Sequence, residues 1–450
     1  MKQIYNKFAF DKEVNYWIDF SQTNFSSHNR LELPLFEGVN EFKYFREGET
    51  LLKENELLET GLEDKFRFFL EDSDLIDTIQ MVVDTNSGYG SLSTEFLKLA
   101  KDELPKNKIF LYSISNPLST ENKFSTLAKK NESKCLQGLN LCLSLSESKE
   151  YLDLITPIHL DELTIPSIGS HSLLKPSDSL FSITSIPALS IHSLLFPLFT
   201  RSLSQIKSSD EMIHAIAIDP HANIYDLNAQ IPFLNLNSEN GIESTLQYMS
   251  YDSMIRMRKH PNSHRKQGLS ACVDKMKTQD EEEEEKEIKS SMFDNFVSYE
   301  VVRAFQEGDY SQNKHNIMKT KSKFAKLFHR CWHNQNLLLP IPFPRYFNSF
   351  VGTHGIIDKQ FFKQEERGFD RSKLEINEEF ISQIGMFVNL SSGPDIKHYI
   401  MQQYDAFHKS SILIKNQFLK DGFLEADDFE QIKNEMLNYY DTYNKLKMYS

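Results

Sequence analysis

Apolar residues in the first quarter of the chain alternate between the spacing of helices and that of short strands. A helical pattern runs from about Glu49 to Leu70. The apolar run Ile79–Val83 predicts a buried strand, which ends in the glycine-containing sequence DTNSGYGS at residues 84–91. A second helical pattern follows until Pro105, and Ile109–Ile114 predicts another buried strand. Strand, glycine turn, helix and strand in this order predict a parallel α/β sheet with a right-handed crossover.

One stretch, between Asp178 and Arg201, carries no charged residue and is long enough to cross a bilayer. Pro187, Pro197 and many serines and threonines weigh against insertion, and prolines break a helix. The pattern therefore favours a buried loop and helix in a soluble core.

The second half of the chain contains a charged insertion and a helical end. In residues 254–291 a basic stretch (256–266) precedes an acidic one, which predicts a disordered insertion. A tether for anionic lipid or nucleic acid is the alternative, but a solvated loop is favoured. Residues 337–347 contain three prolines and are predicted to be extended. From about Glu375 the pattern is helical, with a last helix over about Ala426–Leu446.

Composition limits the class of protein. The chain has 450 residues, enough for two or three domains, and 40% of its residues are apolar. Acidic residues outnumber basic ones by 64 to 50, which argues against a nucleic-acid platform over the whole surface. The four cysteines form no C-x-x-C pair, which favours free thiols in a reducing compartment. The N-terminus lacks the features of a secretory signal or a matrix presequence, so we expect the protein on the cytosolic side of any organelle it serves.

Residues 73–117 carry the most specific motif, SDLIDTIQMVVDTNSGYGSLSTEFLKLAKDELPKNKIFLYSISNP. In order and spacing it is similar to the tubulin unit in which a strand enters a glycine-rich phosphate loop, then a helix that ends at a proline, then a second strand. The shared features are Asp74, Gln80, Gly88-Tyr89-Gly90-Ser91, Asp102-Glu103-Leu104-Pro105 and Asn116-Pro117. Residues 14–25 (VNYWIDFSQTNF) and 56–72 (ELLETGLEDKFRFFLED) resemble two blocks of the Misato family, a branch of the tubulin/FtsZ superfamily.

This resemblance implies the fold. We expect an α/β fold in which a tubulin-like parallel sheet is flanked by helices and followed by a second α+β domain and C-terminal helices. The expected divisions are a family-specific N-terminal segment (1–45), a nucleotide-domain-type region (46–206), a second domain (207–253 and 292–374) interrupted by the charged insertion (254–291), and a C-terminal helical region (375–450).

The glycine turn is the candidate phosphate site, formed by Gly88, Gly90 and Ser91. Glycine lets backbone N–H groups approach an anion, and a helix N-terminus assists. Tubulin-type loops are denser in glycine, and the bulky Tyr89 stands here where they have small residues. A weak GTP site is one interpretation, and the slightly favoured alternative is that these glycines only make the tight turn. No other cofactor is expected.

Hydrolysis is not expected, and no catalytic residue is predicted. The family's opening strand and nucleotide-contacting loop are not present in full, so either the sequence starts late or the site is incomplete. After Pro197 the chain reads LFTRSLSQ, without the acid that tubulins and FtsZ supply to the next subunit. Catalysis needs positioned charge and a poised base.

No metal site is expected either. His329 and His333 lie four apart on a predicted helix, where a metal pair is imaginable. Arg330 stands where the zinc-protease pattern needs a glutamate, so a packing or surface role is favoured.

Three functions remain, in order of preference. The first is a non-catalytic tubulin-like protein that acts through protein partners in the partitioning of mitochondria and the inheritance of mitochondrial DNA, at the cytosolic face of the mitochondrion and in the cytoplasm. The second is a GTP-binding, assembling cytoskeletal protein. The third is a DNA-binding segregation factor that acts through residues 256–266, although direct nucleic-acid binding is not favoured. The partners and the oligomeric state are left open, and no transmembrane segment is expected.

Overall fold

The computed structural model of the chain describes residues 26–34, 42–115, 127–161, 179–200, 208–217, 219–233, 241–249, 254–258, 297–306, 310–322, 325–340, 343–355, 381–408 and 426–446, together with positions 163, 165, 174 and 206. The sequence block at 14–25, Asn116-Pro117, residues 201–205 and positions 259–291 of the charged insertion lie outside these residues.

The described helices, in chain order, are α1 (Arg46–Glu54), α2 (Glu56–Glu71), α3 (Tyr89–Glu103), α4 (Leu127–Ser148), α5 (Leu180–Phe199), α6 (Ser209–Ile216), α7 (Gly241–Tyr248), α8 (Tyr310–Lys319), α9 (Ile396–His408) and α10 (Ala426–Leu446). The described strands are β1 (Thr78–Asp84), β2 (Lys108–Ser115), β3 (Leu154–His159), β4 (Asp226–Gln230), β5 (Ile255–Arg256), β6 (Val297–Arg303), β7 (Leu327–His333), β8 (Leu337–Leu338), β9 (Gln383–Ile384) and β10 (Met386–Ser392).

Two helices, α1 and α2, precede the first sheet where the sequence predicts one. They meet at Asn55, whose φ of −128° lies outside the helical region. The Asn55 side chain accepts a hydrogen bond from the backbone N–H of Leu58 at 3.1 Å and so caps α2. The single helix predicted from Glu49 to Leu70 is therefore wrong at this point, because an asparagine cap ends one helix and begins the next.

The first sheet is parallel and carries the glycine turn. Its strands lie in the order β1-β2-β3, with α3 connecting β1 to β2 and α4 lying between β2 and β3 along the chain. Parallel neighbours need crossovers of this kind, and helices supply them while covering a face of the sheet. The predicted strand, glycine turn, helix and strand, and the α/β class, are confirmed.

Strand β1 is an edge strand, so the prediction that it is buried is wrong. It pairs with β2 from Thr78–Lys108 to Asp84–Ile114, and no strand lies on its other side within the described residues. Val82 of β1 is 64% exposed, whereas the side chain of Phe110 on β2 is fully buried. A short apolar run looks the same in an edge strand and in a central one, and only the sheet order tells them apart.

The second sheet is mixed, in the order β5-β4-β10-β6-β7. Its central strand β10 pairs antiparallel with both β4 and β6, and β6 pairs parallel with β7. The helical region predicted from about Glu375 is wrong in its first part, since β9 and β10 occupy positions 383–392. The prediction holds for α9 and α10, and the latter spans Ala426–Leu446.

Helix α5 packs against the second sheet although Pro187 and Pro197 lie within it. The predicted break does not occur, because burial of side chains such as Ile186 and Leu194 offsets the hydrogen bonds that the prolines cannot donate. Of the helices that the structure describes, α5 is the one long and apolar enough to cross a membrane, and half of its most apolar window is buried in the protein. Core helices of soluble proteins show the same property.

The two sheets meet at β3. The backbone of Ile155 accepts a hydrogen bond from Tyr225 and donates one to Asn223, both at 2.8 Å. Helix α10 covers this junction: the Tyr443 hydroxyl accepts from the backbone N–H of Ile224 at 2.8 Å, and the Tyr439 hydroxyl donates to the Asn223 side chain at 3.1 Å. The C-terminal helices therefore hold the two sheets together.

A buried ion pair crosses the second sheet between Glu300 on β6 and Arg330 on β7. Arg330 Nη2 and Glu300 Oε2 are 2.6 Å apart, and the two side chains are 2% and 0% exposed. Arg330 Nη1 also donates to the carbonyl oxygens of Ile317 and Thr320, at 2.8 and 2.6 Å. Each buried charge thus has partners, which is the condition under which such a pair is tolerated.

We expect Glu300→Gln to lower the free energy of unfolding by about 3–5 kcal/mol, because it leaves Arg330 charged and unpaired in the interior. Urea unfolding followed by circular dichroism measures the change. The double variant Glu300→Met with Arg330→Met removes both charges and should recover most of the loss. A double variant as unstable as Glu300→Gln would contradict this explanation.

Candidate functional site: the glycine turn between β1 and α3

The glycine turn lies where the sequence places it, at the carboxyl end of β1 and the N-terminus of α3. Asp84 is the last residue of the strand, and α3 begins at Tyr89. In parallel α/β sheets this end of the strands is where ligands bind, so the position suits a nucleotide site. Whether the turn can hold a phosphate depends on its backbone N–H groups.

Three amides of the turn, those of Gly88, Tyr89 and Gly90, are already used inside the protein. The N–H of Gly88 donates to the carbonyl oxygen of Phe42, and that of Gly90 donates to the carbonyl oxygen of Ser87, both at 3.1 Å. The N–H of Tyr89 donates to the Ser87 hydroxyl at 3.4 Å. A phosphate would have to displace these acceptors, so the turn is not an open anion cradle.

The Ser91 hydroxyl is also occupied. It donates to the carbonyl oxygen of Phe45 and accepts from the backbone N–H of Glu49 at 3.0 Å. Ser91 is 1% exposed, so the chain segment that leads into α1 covers it. The candidate residues Gly88, Gly90 and Ser91 thus come together, but they face the protein's own segment 42–49.

Close packing explains the glycines on both sides of this contact. A Cβ atom on Gly48 of α1 would lie 2.6 Å from the backbone nitrogen of Leu92, and closer still to the carbonyl oxygen of Gly88. A Cβ on Gly90 would lie 3.0 Å from the Phe45 ring and nearer to the Ser144 hydroxyl. Glycine is needed here so that two pieces of backbone can approach each other.

One buried amide ties the parts together. Asn140 on α4 accepts from the backbone N–H of Phe45 at 3.1 Å, and its Nδ2 donates to the carbonyl oxygens of Lys43 and Asn86, each at 2.7 Å. Asn140 is fully buried. One side chain therefore joins α4, the segment before α1 and the glycine turn.

The charge at the turn is unfavourable for phosphate. Burial raises the pKa of Asp84 above its ordinary value of 3.8, and Asp84 Oδ1 accepts from the Asn86 N–H at 3.0 Å. Burial, and then the charge of Asp84, raise the pKa of Tyr89. Arg46 of α1 already binds two carboxylates, Glu49 and Glu147, at 2.7 Å each.

An apolar groove of about 200 Å³ lies beside the turn. Its lining includes Leu31, Leu62, Val82, Tyr89 and Phe96. Such a lining suits an apolar side chain better than a nucleotide, because phosphates need positive charge or N–H donors.

The histidine pair is not a metal site. His329 and His333 lie on strand β7, so the predicted helix is wrong here. Four residues along a strand span about 13 Å, too far for one metal ion. No group of three His, Cys, Asp or Glu side chains arranged to hold a metal was found among the described residues.

The basic stretch 256–266 is partly structural. Arg258 is 5% exposed, donates to Asp226 Oδ2 at 2.7 Å and lies over the Tyr399 ring at 4.9 Å. It is therefore not available to nucleic acid. Residues 259–266 lie outside the described residues, as do residues 201–205 of the sequence LFTRSLSQ, where tubulins and FtsZ carry an acid.

Sequence reasoning missed Gly48, Asn140 and the segment 42–45. A lone asparagine within the apolar run that leads through Leu139, Leu141 and Leu143 was the available signal, since a buried amide must find partners. The sequence gives no comparable signal for Gly48, because a glycine in a helical pattern does not indicate which residues pack against it.

Comparison with known proteins agrees with this geometry. Residues 9–198 match the family model Tubulin_3, a tubulin domain. Protein dml-1 of Neurospora crassa is 23% identical over 191 residues, which are 41% of this chain and 33% of that protein. Protein DML1 of Coccidioides immitis is 22% identical over 174 residues, or 34% of each chain.

The N-terminal part of the chain is therefore similar to a tubulin domain and to the dml-1 and DML1 proteins. The matched part spans about a third of the length of these curated relatives. It contains the first sheet and the glycine turn and ends in α5, so the second sheet lies beyond it. The phosphate site at the turn stays a prediction, and the N–H of Gly88 and the hydroxyl of Ser91 bond to residues of the segment 42–49.

We expect Gly48→Ala to destabilise the protein by roughly 1–3 kcal/mol, because the new methyl group meets backbone atoms that cannot move aside. Gly61→Ala is the matched control: on α2 its Cβ would meet nothing nearer than Leu31 Cδ1 at 3.7 Å. The control should stabilise by about 0.5–1 kcal/mol. Chemical unfolding measures both, and equal effects would refute the close approach.

Asp84→Asn should make the stability less sensitive to pH. Because the pKa of Asp84 is raised in the folded state, that state binds more protons than the unfolded one between 3.8 and the raised value. The contribution of Asp84 to stability therefore falls as pH rises through this window and stays low above it. The variant keeps an acceptor for the Asn86 N–H, so it should exceed the wild type in unfolding midpoint near neutral pH.

Below about pH 4 the advantage of Asp84→Asn should disappear, because both side chains are then neutral. Unfolding midpoints at a series of pH values provide the comparison. A difference between the two proteins that is constant with pH would mean that burial of the charge is not its cause.

Proposed function

We propose that this chain is a non-catalytic, tubulin-like protein that serves the partitioning of mitochondria and the inheritance of mitochondrial DNA by binding protein partners. It acts at the cytosolic face of the mitochondrion and in the cytoplasm. The mitochondrial part of this proposal rests on the resemblance to the Misato family. The non-catalytic part rests on the glycine turn.

The observation that carries the proposal is the use of the turn's donors. The N–H groups of Gly88 and Gly90 and the hydroxyl of Ser91 all bond to groups of the protein itself. Phosphoryl-transfer sites depend on such donors, together with cations, to hold and polarise the phosphates. With the donors used and Asp84 beside them, the turn serves as a structural junction.

The first test is the nucleotide content of the protein. Full-length chain purified without added nucleotide, then denatured and analysed by ion-exchange chromatography, should release no GTP or GDP. Titration with GTP and Mg²⁺ should give no heat of binding, while αβ-tubulin carried through the same steps releases nucleotide. About one guanine nucleotide per chain would overturn the non-catalytic proposal in favour of a GTP-binding protein.

A second test places a negative charge in the turn. Ser87→Asp keeps an acceptor for the Tyr89 N–H but repels phosphate, and Ser87→Asn is the uncharged control. In cells that lack the chain, both variants should restore mitochondrial partitioning as well as the wild type. Failure of Ser87→Asp alone, with a normal unfolding midpoint, would show that an anion bound at the turn is required.

A further inference from the structure

The second sheet contains a buried guanidinium that has no counter-charge among the described residues. Arg303, the last residue of β6, is 4% exposed, and its Nε is buried without a hydrogen-bond partner. Among the described residues its polar contact is Nη1 to His192 Nδ1 at 3.4 Å, and the guanidinium lies 3.8 Å from the centre of the Phe196 ring. Burial lowers the pKa of Arg303 to about 10, so it remains a cation at neutral pH.

His333 lies beside Arg303. The two residues are opposite each other on the parallel strands β6 and β7, and the His333 ring meets the edge of Phe196 at 4.9 Å. His333 Nε2 is also buried without a hydrogen-bond partner. Two polar nitrogens on neighbouring strands, both next to Phe196, are thus left unsatisfied.

Other buried arginines of this sheet follow a different rule. Arg330 is paired with Glu300, and Arg258 is paired with Asp226. Leaving a buried cation unpaired costs several kcal/mol. Among the described residues Arg303 lacks the carboxylate that Arg330 and Arg258 have, which indicates a use for its charge.

We propose that Arg303 and His333 bind the carboxylate of an Asp or Glu side chain in a peptide segment of a protein partner. This inference rests on the proposed function, since it names the chemistry of the partner. A guanidinium presents N–H donors in a fork that matches a carboxylate, and the neutral imidazole adds one more donor.

The neighbouring backbone favours a carboxylate over a phosphate. The N–H of Ala304 donates to the His333 carbonyl oxygen at 3.2 Å, and those of Phe305 and Gln306 donate to asparagine side chains at 3.0 and 2.6 Å. Phosphate sites gather several amides or cations, and these amides are already used. A single cation matches a singly charged group.

The rim of the site favours a peptide over a small anion. Phe199 is 70% exposed and lies one turn beyond Phe196 on α5, and Phe305, two residues after Arg303, is 49% exposed. Arginine and aromatic residues are enriched at the energetic centres of protein interfaces, and Phe199 and Phe305 lie close in sequence to the residues of this site. We therefore expect the acidic residue of the partner to be flanked by apolar ones.

The probe is a phage-displayed library of random dodecapeptides, selected on the full-length chain and counter-selected on Arg303→Met. Enriched peptides should carry an Asp or Glu next to aromatic or aliphatic residues. Synthetic peptides from the selection should bind Arg303→Met at least roughly tenfold more weakly, and replacement of the acid by its amide should have a similar effect. If no peptide distinguishes Arg303→Met from the wild type, the proposal is wrong.

Competition separates the sources of the anion. Inorganic phosphate that displaces the peptides at low millimolar concentration would overturn the choice of a carboxylate. A synthetic peptide of residues 278–290, which contain the acidic run of this chain, tests whether the chain supplies its own ligand. Its displacement of the selected peptides would place the source within this protein and overturn the partner.

A stability measurement separates a binding role from a structural one. Arg303→Met removes an unpaired charge, so its urea midpoint should equal or exceed that of the wild type, whereas Arg330→Met, the matched buried arginine, should unfold earlier. An equal loss in both variants would mean that Arg303 supports the fold, which overturns the proposal. The selected peptides can bind as expected while Arg303→Met still restores mitochondrial partitioning in cells that lack the chain. In that case the binding site is confirmed, but its link to the proposed function is wrong.

Discussion

The hydrogen bonds of Asn140 are the constraint on which the first sheet and its turn depend. This fully buried amide binds backbone groups of Phe45, Lys43 and Asn86 at once, so the segment before α1, the glycine turn and α4 cannot move independently. Because an unpaired buried amide is costly, all three bonds must form together or not at all. The bonds of Asn140 fix the segment before α1 beside the glycine turn. Gly48 of α1 therefore lies close to the N-terminus of α3.

In this structure Gly88, Tyr89 and Ser91 of the glycine turn form their hydrogen bonds to the protein itself. In the superfamily the turn is expected to hold phosphate through exposed N–H groups, but here the carbonyl oxygens of Phe42 and Phe45 occupy the donors of Gly88 and Ser91. The glycine turn lies at the carboxyl end of β1, and its Gly88 N–H and Ser91 hydroxyl bond to groups of the protein itself. A glycine turn thus identifies the fold without fixing the chemistry, because the same backbone donors serve a ligand or a neighbouring helix.

Among the described buried arginines of the second sheet region, Arg330 and Arg258 are paired with carboxylates and Arg303 is not. Arg330 is paired with Glu300 and Arg258 with Asp226, and each ion pair links two neighbouring elements. Arg303 sits at the end of β6 with aromatic contacts in place of a carboxylate. The three arginines are buried to a similar extent. What distinguishes Arg303 from Arg330 and Arg258 is therefore the lack of a carboxylate partner among the described residues, and not its exposure to solvent.

Periodicity and turn chemistry by themselves determined β1, the glycine turn, α3, β2 and the last helix, since each depends on residues close in sequence. The resemblance carried by residues 73–117 also set the parallel arrangement of the first sheet. Only the tertiary structure decided that β1 lies at an edge, that β10 is central, and that His329 and His333 stand on a strand. The occupation of the turn by residues 42–49 was likewise decided there. The physical reason is that strand neighbours, buried partners and close backbone approaches join residues distant in sequence, and local spacing does not encode them.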